Sequence, residues 1–253
     1  HLEKALYMAA TGRPGPVWLD LPLDVQGAII ETESLRAYDP AENPEQRPQE
    51  ILQETIEKIL DKIEESHRPV LSPGNGVRLA GAIEEFHELV DVLGVPVVTG
   101  MSSVDALESD HPYFVGRSGG TGTRPGNFAL QNSDVLLSIG NRQGFAQTGF
   151  QYQDWARESY TILNDIDENE LKKPNLHVSL PVVGDAGELI RGLLAEAKKR
   201  GADKEYPLFK GEDWRKQCLL WKKKYPVVTE KHYETLEEGC TNIYAFYGEL
   251  SKA

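Results

Sequence analysis

The sequence alternates short apolar runs with amphipathic segments across residues 49–201. The apolar runs show no period-two change between polar and apolar residues, which indicates strands that are covered on both faces. Covered strands that alternate with helices predict an α/β fold, a doubly wound parallel sheet of the Rossmann type. The predicted strands are residues 69–74, 95–100, 134–142, 161–167 and 176–184, and the predicted helices are 51–63, 79–94 and 185–201.

The two ends of the sequence differ from this centre. A helix of about residues 2–11 leads into the apolar run PVWLDLP, residues 16–22, and a polar, proline-containing linker follows at 31–48. Beyond Gly201 the pattern predicts helices and no strands, at 214–225 and from 241 onward. We therefore expect a helical C-terminal tail that leads toward a further domain.

Composition limits the functions that this chain can have. The formal net charge of −13 argues against nucleic-acid binding, which needs clustered basic residues. The lysine run at 222–224 is predicted to be a solvated helix face. No apolar run is long enough to span a membrane. Cys218 and Cys240 have no CxxC spacing, so they predict structural thiols in a reducing, cytoplasmic compartment and no metal site.

The stretch GRSGGTGTRPGN, residues 116–127, contains five glycines. Such bare backbone is useful where a ligand must come close, or where φ must be positive. The stretch therefore either cradles a ligand or only turns the chain. The sequence around it contains no recognised catalytic motif, and we predict no catalytic and no metal-binding residue.

Candidate binding residues follow the predicted strands, because ligands of open parallel sheets bind beyond the carboxyl ends of the strands. Backbone NH groups at glycine turns suit a pyrophosphate, arginine suits phosphate, and a strand-end aspartate suits a ribose hydroxyl. The alternative is that the glycines only shape turns and that Asp165 and Asp167 cap a helix at 168–172. The positions concerned are Gly74, Asn75, Gly76, Thr99, Gly100, Gly140, Arg142, Asp165 and Asp167.

Three segments resemble the thiamine diphosphate-dependent enzymes, especially acetolactate synthases. GRPGPVWLDLPLDVQ, residues 12–26, resembles the closing strand of their pyrimidine-binding domain. Residues 116–142 resemble the signature of their middle domain, Gly-x-x-Gly-x-His-Gly-Thr followed by Ala-Asn-x-Ala, an apolar strand and Gly-x-Arg. NDIDENELKK, residues 164–173, is similar to a further segment of that domain.

The resemblance implies a three-domain parent enzyme with residues 1–30 from the end of the pyrimidine-binding domain. Residues 31–48 are then a linker, 49–201 the middle domain, and 202–253 the lead-in to the diphosphate-binding domain. The parent would use thiamine diphosphate and Mg²⁺ to decarboxylate or ligate 2-oxo acids, as a homo-oligomer. The catalytic glutamate and the metal motif of the family would lie in other domains, so this chain alone is expected to be inactive.

In acetolactate synthases the middle domain binds FAD, so the resemblance also implies a possible FAD site. Two departures weaken it. Thr121 stands where the family signature has histidine, and Phe145 and Ala146 replace an acidic residue and a second arginine. The residues that match FAD-contacting segments are Arg13, Gly74, Asn75, Gly76, Thr99, Gly100, Gly122, Arg142, Asp165 and Ile166.

Two other interpretations remain. The chain could be a self-contained Rossmann-like nucleotide-binding module, or a purely architectural domain between two catalytic domains. The segment 12–26 argues against the first, because such a module needs no closing strand of another domain. If that segment lacks its own sheet, we expect it to be exposed or paired with a neighbour. Membership of residues 16–22 in the main sheet would contradict the resemblance.

Overall fold

A computed structural model describes residues 1–44, 49–234 and 240–252 of the chain. The chain divides into two compact units, residues 1–49 and 50–253. The second unit contains a six-stranded, fully parallel sheet in the order β3-β2-β1-β4-β5-β6, which confirms the predicted fold class. The strands are β1 Pro69–Pro73, β2 Val97–Thr99, β3 Phe114–Arg117, β4 Val135–Ile139, β5 Tyr160–Asp165 and β6 Leu180–Val183.

Helices connect these strands. In the second unit they are α3 Gln53–Glu65, α4 Gly76–Leu79, α5 Ile83–Leu93, α6 Arg124–Gln131, α7 Phe145–Thr148, α8 Glu168–Leu171, α9 Ala186–Lys199, α10 Glu212–Lys224 and α11 Ile243–Leu250; the first unit contributes α1 Leu2–Ala10 and α2 Leu23–Gln26. Helix α9 packs against α3 and α5, while α6 and α10 form a second group that contacts β3. The helices thus flank the sheet, as a doubly wound fold requires.

The core lies between the sheet and these helices. Every residue of the central strands β1 and β4 is buried, which is why their sequences show no polar alternation. Phe86 of α5 and Ile59 of α3 are fully buried. The side chain of Asp185 accepts a hydrogen bond from the backbone NH of Glu188 at 3.0 Å, so Asp185 caps α9 as predicted.

Two elements differ from the sequence-based prediction. The predicted helix 79–94 begins only at Ile83, as α5, because Gly81 adopts φ +63°, a left-handed conformation that interrupts a helix; the short α4 ends before it, at Leu79. Strand β3 was missed, because its second half, Gly116 and Arg117, was assigned to the glycine-rich stretch. β3 pairs with β2 through a register shift at Val97/Val98, which a regular apolar pattern does not reveal.

In the first unit, residues 16–22 belong to none of the six strands. Trp18 is 89% exposed, and Val17, Leu19 and Leu21 are exposed as well. A strand exists only through pairing with a neighbour, and this segment has none among the described residues. Residues 16–22 are therefore not a strand of the main sheet, which is the arrangement that would have contradicted the resemblance. Residues 45–48 of the predicted linker lie outside the described residues.

The part of the tail that forms α10 packs onto the sheet unit. Trp214 is buried, and its indole NH donates to the carbonyl of Pro69 at 3.0 Å. The lysine run at the end of α10 is only partly a solvated face: Lys223 and Lys224 are exposed, but Lys222 is half-buried and bonded to two backbone carbonyls. The prediction was wrong for Lys222 because a helix presents successive side chains in different directions. That residues 202–253 lead into another domain remains a prediction.

The two thiols should differ sharply in reactivity. Cys218 on α10 is buried, and burial raises the pKa of its thiol to about 12, whereas Cys240 is exposed. Because only the thiolate reacts, we expect a disulfide reagent such as dithiobis(nitrobenzoate) to modify one thiol of the folded chain at pH 8, and both in denaturant. Cys240→Ser should abolish the fast reaction and Cys218→Ser should leave it unchanged. Two equally fast thiols in the folded chain would contradict this assignment.

Candidate functional site

The candidate residues of the second unit gather along the carboxyl edge of the sheet. The strand order places β1 beside β4, and the chain proceeds from this pair in opposite directions, through β2 to β3 and through β5 to β6. This is the topological switch point at which open α/β sheets bind ligands. Gly74, Asn75 and Gly76 follow β1 there, and Gly140 to Arg142 follow β4.

At the switch point the two strand ends are in direct backbone contact. The NH of Gly74 donates to the carbonyl of Ile139 and the NH of Gly76 to that of Gly140, both at 2.9 Å. A Cβ on Gly74 would lie 2.2 Å from the carbonyl oxygen of Gly140, and one on Gly76 would lie 2.7 Å from the Gly140 Cα. These two positions therefore require glycine because any side chain would overlap the end of β4, and their NH groups are already bonded within the chain.

The segment that follows β4, residues 140–149, connects the candidate positions on the other side of the switch point. A Cβ on Gly100 would meet the side-chain oxygen of Gln147 at 2.3 Å. The amide of Gln147 donates to the hydroxyl of Ser118 at 2.9 Å, and the NH of Gly120 donates to the carbonyl of Ala146 at 3.0 Å. Segment 140–149 thus holds the end of β2 and the glycine-rich stretch together.

The glycine-rich stretch 116–127 joins β3 to α6 as a tightly bonded turn. The NH of Gly119 donates to the side chain of Asn127, and Thr123 caps α6 by accepting from the NH of Gly126. Gly119 has φ +99°, and a Cβ on Gly122 would lie 2.5 Å from the carbonyl oxygen of Arg117. Most of the backbone NH groups here bond inside the chain, so the dense glycines mainly permit close packing.

Two buried polar atoms at this edge have no hydrogen-bond partner among the described residues. They are the hydroxyl of Thr99, at the end of β2, and the side-chain oxygen of Gln143, just after β4. Thr99 is fully buried and Gln143 is 2% exposed. Gln143 also adopts φ +48°, which costs about 1–2 kcal/mol for a residue other than glycine. Unsatisfied polar atoms and backbone strain concentrate at ligand sites, which makes this edge the best-supported candidate site.

The charged residues lie on the β4–β5 side. Arg142 is exposed, and its Nε lies 3.4 Å from a carboxylate oxygen of Glu170 on α8. Lys173 forms an ion pair with the same carboxylate and donates to the carbonyl of Arg142 at 2.8 Å. The guanidinium of Arg142 is therefore held beside the end of β5, where an anion could reach it.

Asp165 is the last residue of β5, and Ile166 follows it. Their neighbour Asp167 supports the alternative that an aspartate here caps a helix. Asp167 accepts a hydrogen bond from the NH of Asn169 at 2.9 Å and so caps α8. The buried carboxylate of Asp165 accepts from the NH of Asp167 at 3.0 Å. Arg13 lies in the first unit, where it is exposed in the bend after α1. The assignment of all these positions to a cofactor site remains a prediction.

Sequence reasoning missed the amides that organise this edge. Asn164 is fully buried in β5; it accepts from the NH of Gly140 and donates to the carbonyls of Val182 and Gly184. It therefore ties the ends of β4, β5 and β6 together. Gln143 and Gln147 were not among the candidate residues predicted from the sequence. A polar amide inside an otherwise apolar strand, as in TILNDID, is the signal that could have identified Asn164.

The described residues contain no group of three or more His, Cys, Asp or Glu side chains placed to hold a metal ion. Within the same residues, no helix combines the length and apolar character needed to cross a bilayer.

The family model described as "Thiamine pyrophosphate enzyme, central domain" matches residues 56–193, which extend from α3 into α9 and include the whole sheet. The chain belongs to this family. The match contains every candidate position except Arg13, and its limits lie within the predicted middle domain. The resemblance proposed from the sequence is thereby confirmed.

Among curated proteins, the family members most relevant here are acetolactate synthase large subunits. The chain is 39% identical over 199 residues to the probable acetolactate synthase large subunit of Methanocaldococcus jannaschii. The aligned region covers 76% of the chain and 32% of that relative. It is 36% identical over 209 residues to the acetolactate synthase large subunit of Corynebacterium glutamicum, covering 81% of the chain and 32% of that relative. The chain thus spans about a third of the length of these relatives.

The contact between the ends of β1 and β4 predicts a specific sensitivity to added side-chain volume. Gly74→Ala should lower the free energy of unfolding by about 1–3 kcal/mol, because its Cβ would overlap backbone atoms that cannot move independently. Chemical denaturation measures this change.

Gly144→Ala is the matched control. Gly144 lies in the adjoining segment with φ −70°, and a Cβ there would have open space. Its stability should be unchanged or raised by up to about 1 kcal/mol. Equal stabilities for the two variants would show that the close backbone approach at Gly74 does not contribute to the stability of the contact between β1 and β4.

Proposed function

We propose that this chain serves as the central domain of a thiamine diphosphate-dependent enzyme of the acetolactate synthase type. The enzyme would decarboxylate or ligate 2-oxo acids. The observation that carries the proposal is the family match to residues 56–193, together with 36–39% identity to acetolactate synthase large subunits. A self-contained nucleotide-binding module would not account for residues 12–26, which lie outside the sheet.

The proposed arrangement distributes the chemistry over several domains. Residues 1–30 would end the pyrimidine-binding domain, 31–48 would be a linker, 49–201 the middle domain and 202–253 the lead-in to the diphosphate-binding domain. Thiamine diphosphate, together with Mg²⁺, would supply the carbanion chemistry. Their binding residues would come from the two flanking domains, while this domain would space those domains and fix their contacts.

A domain exchange tests this function. Residues 49–201 would replace the corresponding segment of the M. jannaschii relative, and acetolactate formation from pyruvate would be measured with thiamine diphosphate and Mg²⁺. We expect the chimera to retain activity and the 253-residue chain alone to form no acetolactate. A second chimera, in which the central domain of the C. glutamicum relative replaces that of the M. jannaschii relative, is the control. It shows how much activity remains when the central domain comes from another family member.

A folded chimera without acetolactate formation, beside an active control chimera, would contradict the proposed role. Acetolactate formation by the 253-residue chain alone would contradict the distribution of chemistry over several domains. The two outcomes are independent, because the first concerns compatibility of this domain and the second concerns the source of the catalytic groups.

We propose further that the carboxyl edge of the sheet binds FAD. The hydroxyl of Thr99 and the side-chain oxygen of Gln143 are buried polar atoms suited to a ligand, and the exposed guanidinium of Arg142 suits a phosphate. Gly100, Gly122, Asp165 and Ile166 would line the same edge. Gly74, Asn75 and Gly76 would shape it, because the bonds of Gly74 and Gly76 go to the end of β4.

Flavin retention tests this site. After incubation with FAD and desalting, absorbance at about 450 nm reports bound flavin, a property of the cofactor itself. Arg142→Gln should weaken FAD binding about tenfold by removing a charge-assisted bond to phosphate. Arg157→Gln is the control, since Arg157 is an exposed arginine that precedes β5, at the opposite edge of the sheet. Equal flavin retention by both variants, or no flavin retention by the unsubstituted chain, would contradict the FAD proposal.

We also propose that the protein is a homo-oligomer located in the cytoplasm. The exposed apolar side chains of residues 16–22 support association, because an unpaired apolar segment favours pairing with a neighbour. The free thiols Cys218 and Cys240 support a reducing compartment.

A further inference from the structure

A cavity of about 210 Å³ lies beside β3, the edge strand of the sheet. It is bordered by β3, the segment that precedes it, the start of α6, the end of α10 and the residues just after α10. Its polar lining comes from Ser109, Arg117, Thr123, Lys222 and Tyr225, and Phe114 contributes an aromatic wall. None of the described residues that line it carries a carboxylate. This cavity is separate from the switch point between β1 and β4.

Lys222 is fixed in the wall of this cavity. Its ammonium donates to the carbonyls of Ser109 and Phe114 at 2.7 and 2.8 Å, and lies 5.2 Å from the centre of the Phe114 ring. An ammonium has three NH donors, so one remains for another acceptor. Desolvation lowers the pKa of Lys222, and the charge of nearby Asp110 partly opposes this shift. The burial of this charge is thus only partly compensated within the chain.

A second cation lines this cavity, and two more lie beside one of its aromatic walls. Arg117 at the end of β3 is half-buried and lines it. The guanidinium of Arg124 and the ammonium of Lys224 lie 5.6 and 5.5 Å from the ring centre of Tyr225, which also lines it. None of these four cations has a carboxylate oxygen within 4.0 Å in the part of the chain that the structure describes. The chain as a whole has 40 acidic and 27 basic residues, so such a cluster is unexpected.

A structural explanation covers only part of the cluster. Basic residues in the last turn of a helix balance the partial negative charge of its carbonyl end, which accounts for Lys222 and Lys224 on α10. Arg117 and Arg124 belong to β3 and to the first turn of α6, where this effect gives them no role. Two separate elements, β3 and α10, therefore place cations in the lining of one cavity, and Arg124 of α6 lies beside Tyr225 in the same lining.

We propose that this cavity binds a small dianion that carries carboxylate or phosphate groups, held by Arg117 and Lys222. The cationic wall provides charge-assisted hydrogen bonds, and Phe114 and Tyr225 exclude water from them. The volume is below the roughly 300–1,000 Å³ of sites for drug-sized ligands, which limits the ligand to a small metabolite. The site is independent of thiamine diphosphate and of the proposed FAD site.

Titration calorimetry with inorganic phosphate and with succinate, each balanced with chloride to constant ionic strength, tests this site. Backbone NMR shifts of Gly116 and Thr123 locate the binding. Arg117→Gln should weaken binding at least about tenfold, because one charge-assisted bond is lost. The fold should be retained, since the guanidinium of Arg117 makes no ion pair among the described residues. Lys222→Gln should weaken binding as well, and Lys223→Gln, the exposed neighbour in the same run, should leave it unchanged.

Saturable binding with these variant effects supports the proposal, and the ligand that saturates the site identifies it as a phosphate or a carboxylate site. The proposal is overturned if neither ligand saturates the site below about 10 mM. It is also overturned if the Arg117→Gln variant binds the anion as tightly as the unsubstituted chain does, or if Lys223→Gln weakens binding as much as Arg117→Gln does. Those last results would indicate diffuse attraction by the lysine run.

Discussion

The contact between the backbones of β1 and β4 at their carboxyl ends is the constraint on which the rest of this structure depends. Gly74, Gly76 and Gly140 allow main-chain atoms to meet where any side chain would overlap them. Hydrogen bonds from Gly74 and Gly76 to the end of β4 fix this seam. Because the seam is also the switch point of the sheet, it sets where the loops diverge and where a crevice can form.

From this seam the organisation spreads through side-chain amides. Asn164 joins the end of β4 to β5 and β6, and Gln147 joins the segment after β4 to the glycine-rich stretch. The amide oxygen of Gln143 and the hydroxyl of Thr99 are buried beside them without partners among the described residues. The edge therefore combines a hydrogen-bonded contact between strand ends with buried polar atoms that the described residues leave unsatisfied. This combination supports the proposed binding site, because buried polar groups normally have partners.

Glycines in this domain illustrate how a motif can have a structural rather than a chemical cause. From the sequence, the stretch 116–127 either cradles a ligand or only turns the chain, because bare backbone serves both purposes. In the structure most of its NH groups bond within the chain, and its glycines make room for carbonyls such as that of Arg117. The same stretch nevertheless carried the resemblance to the family, and it lies inside the family match at residues 56–193.

The sequence by itself determined the parallel sheet, the flanking helices, the cap at Asp185 and the family, since these follow from local hydrophobic patterns, capping residues and motifs. Only the tertiary structure decided that β3 joins the sheet, that α10 packs onto it, and that Lys222 lies in a cavity wall. It also revealed the roles of Asn164 and Gln147. These features depend on contacts between residues far apart in the chain, and periodicity reports only which face of an element is buried, not what covers it.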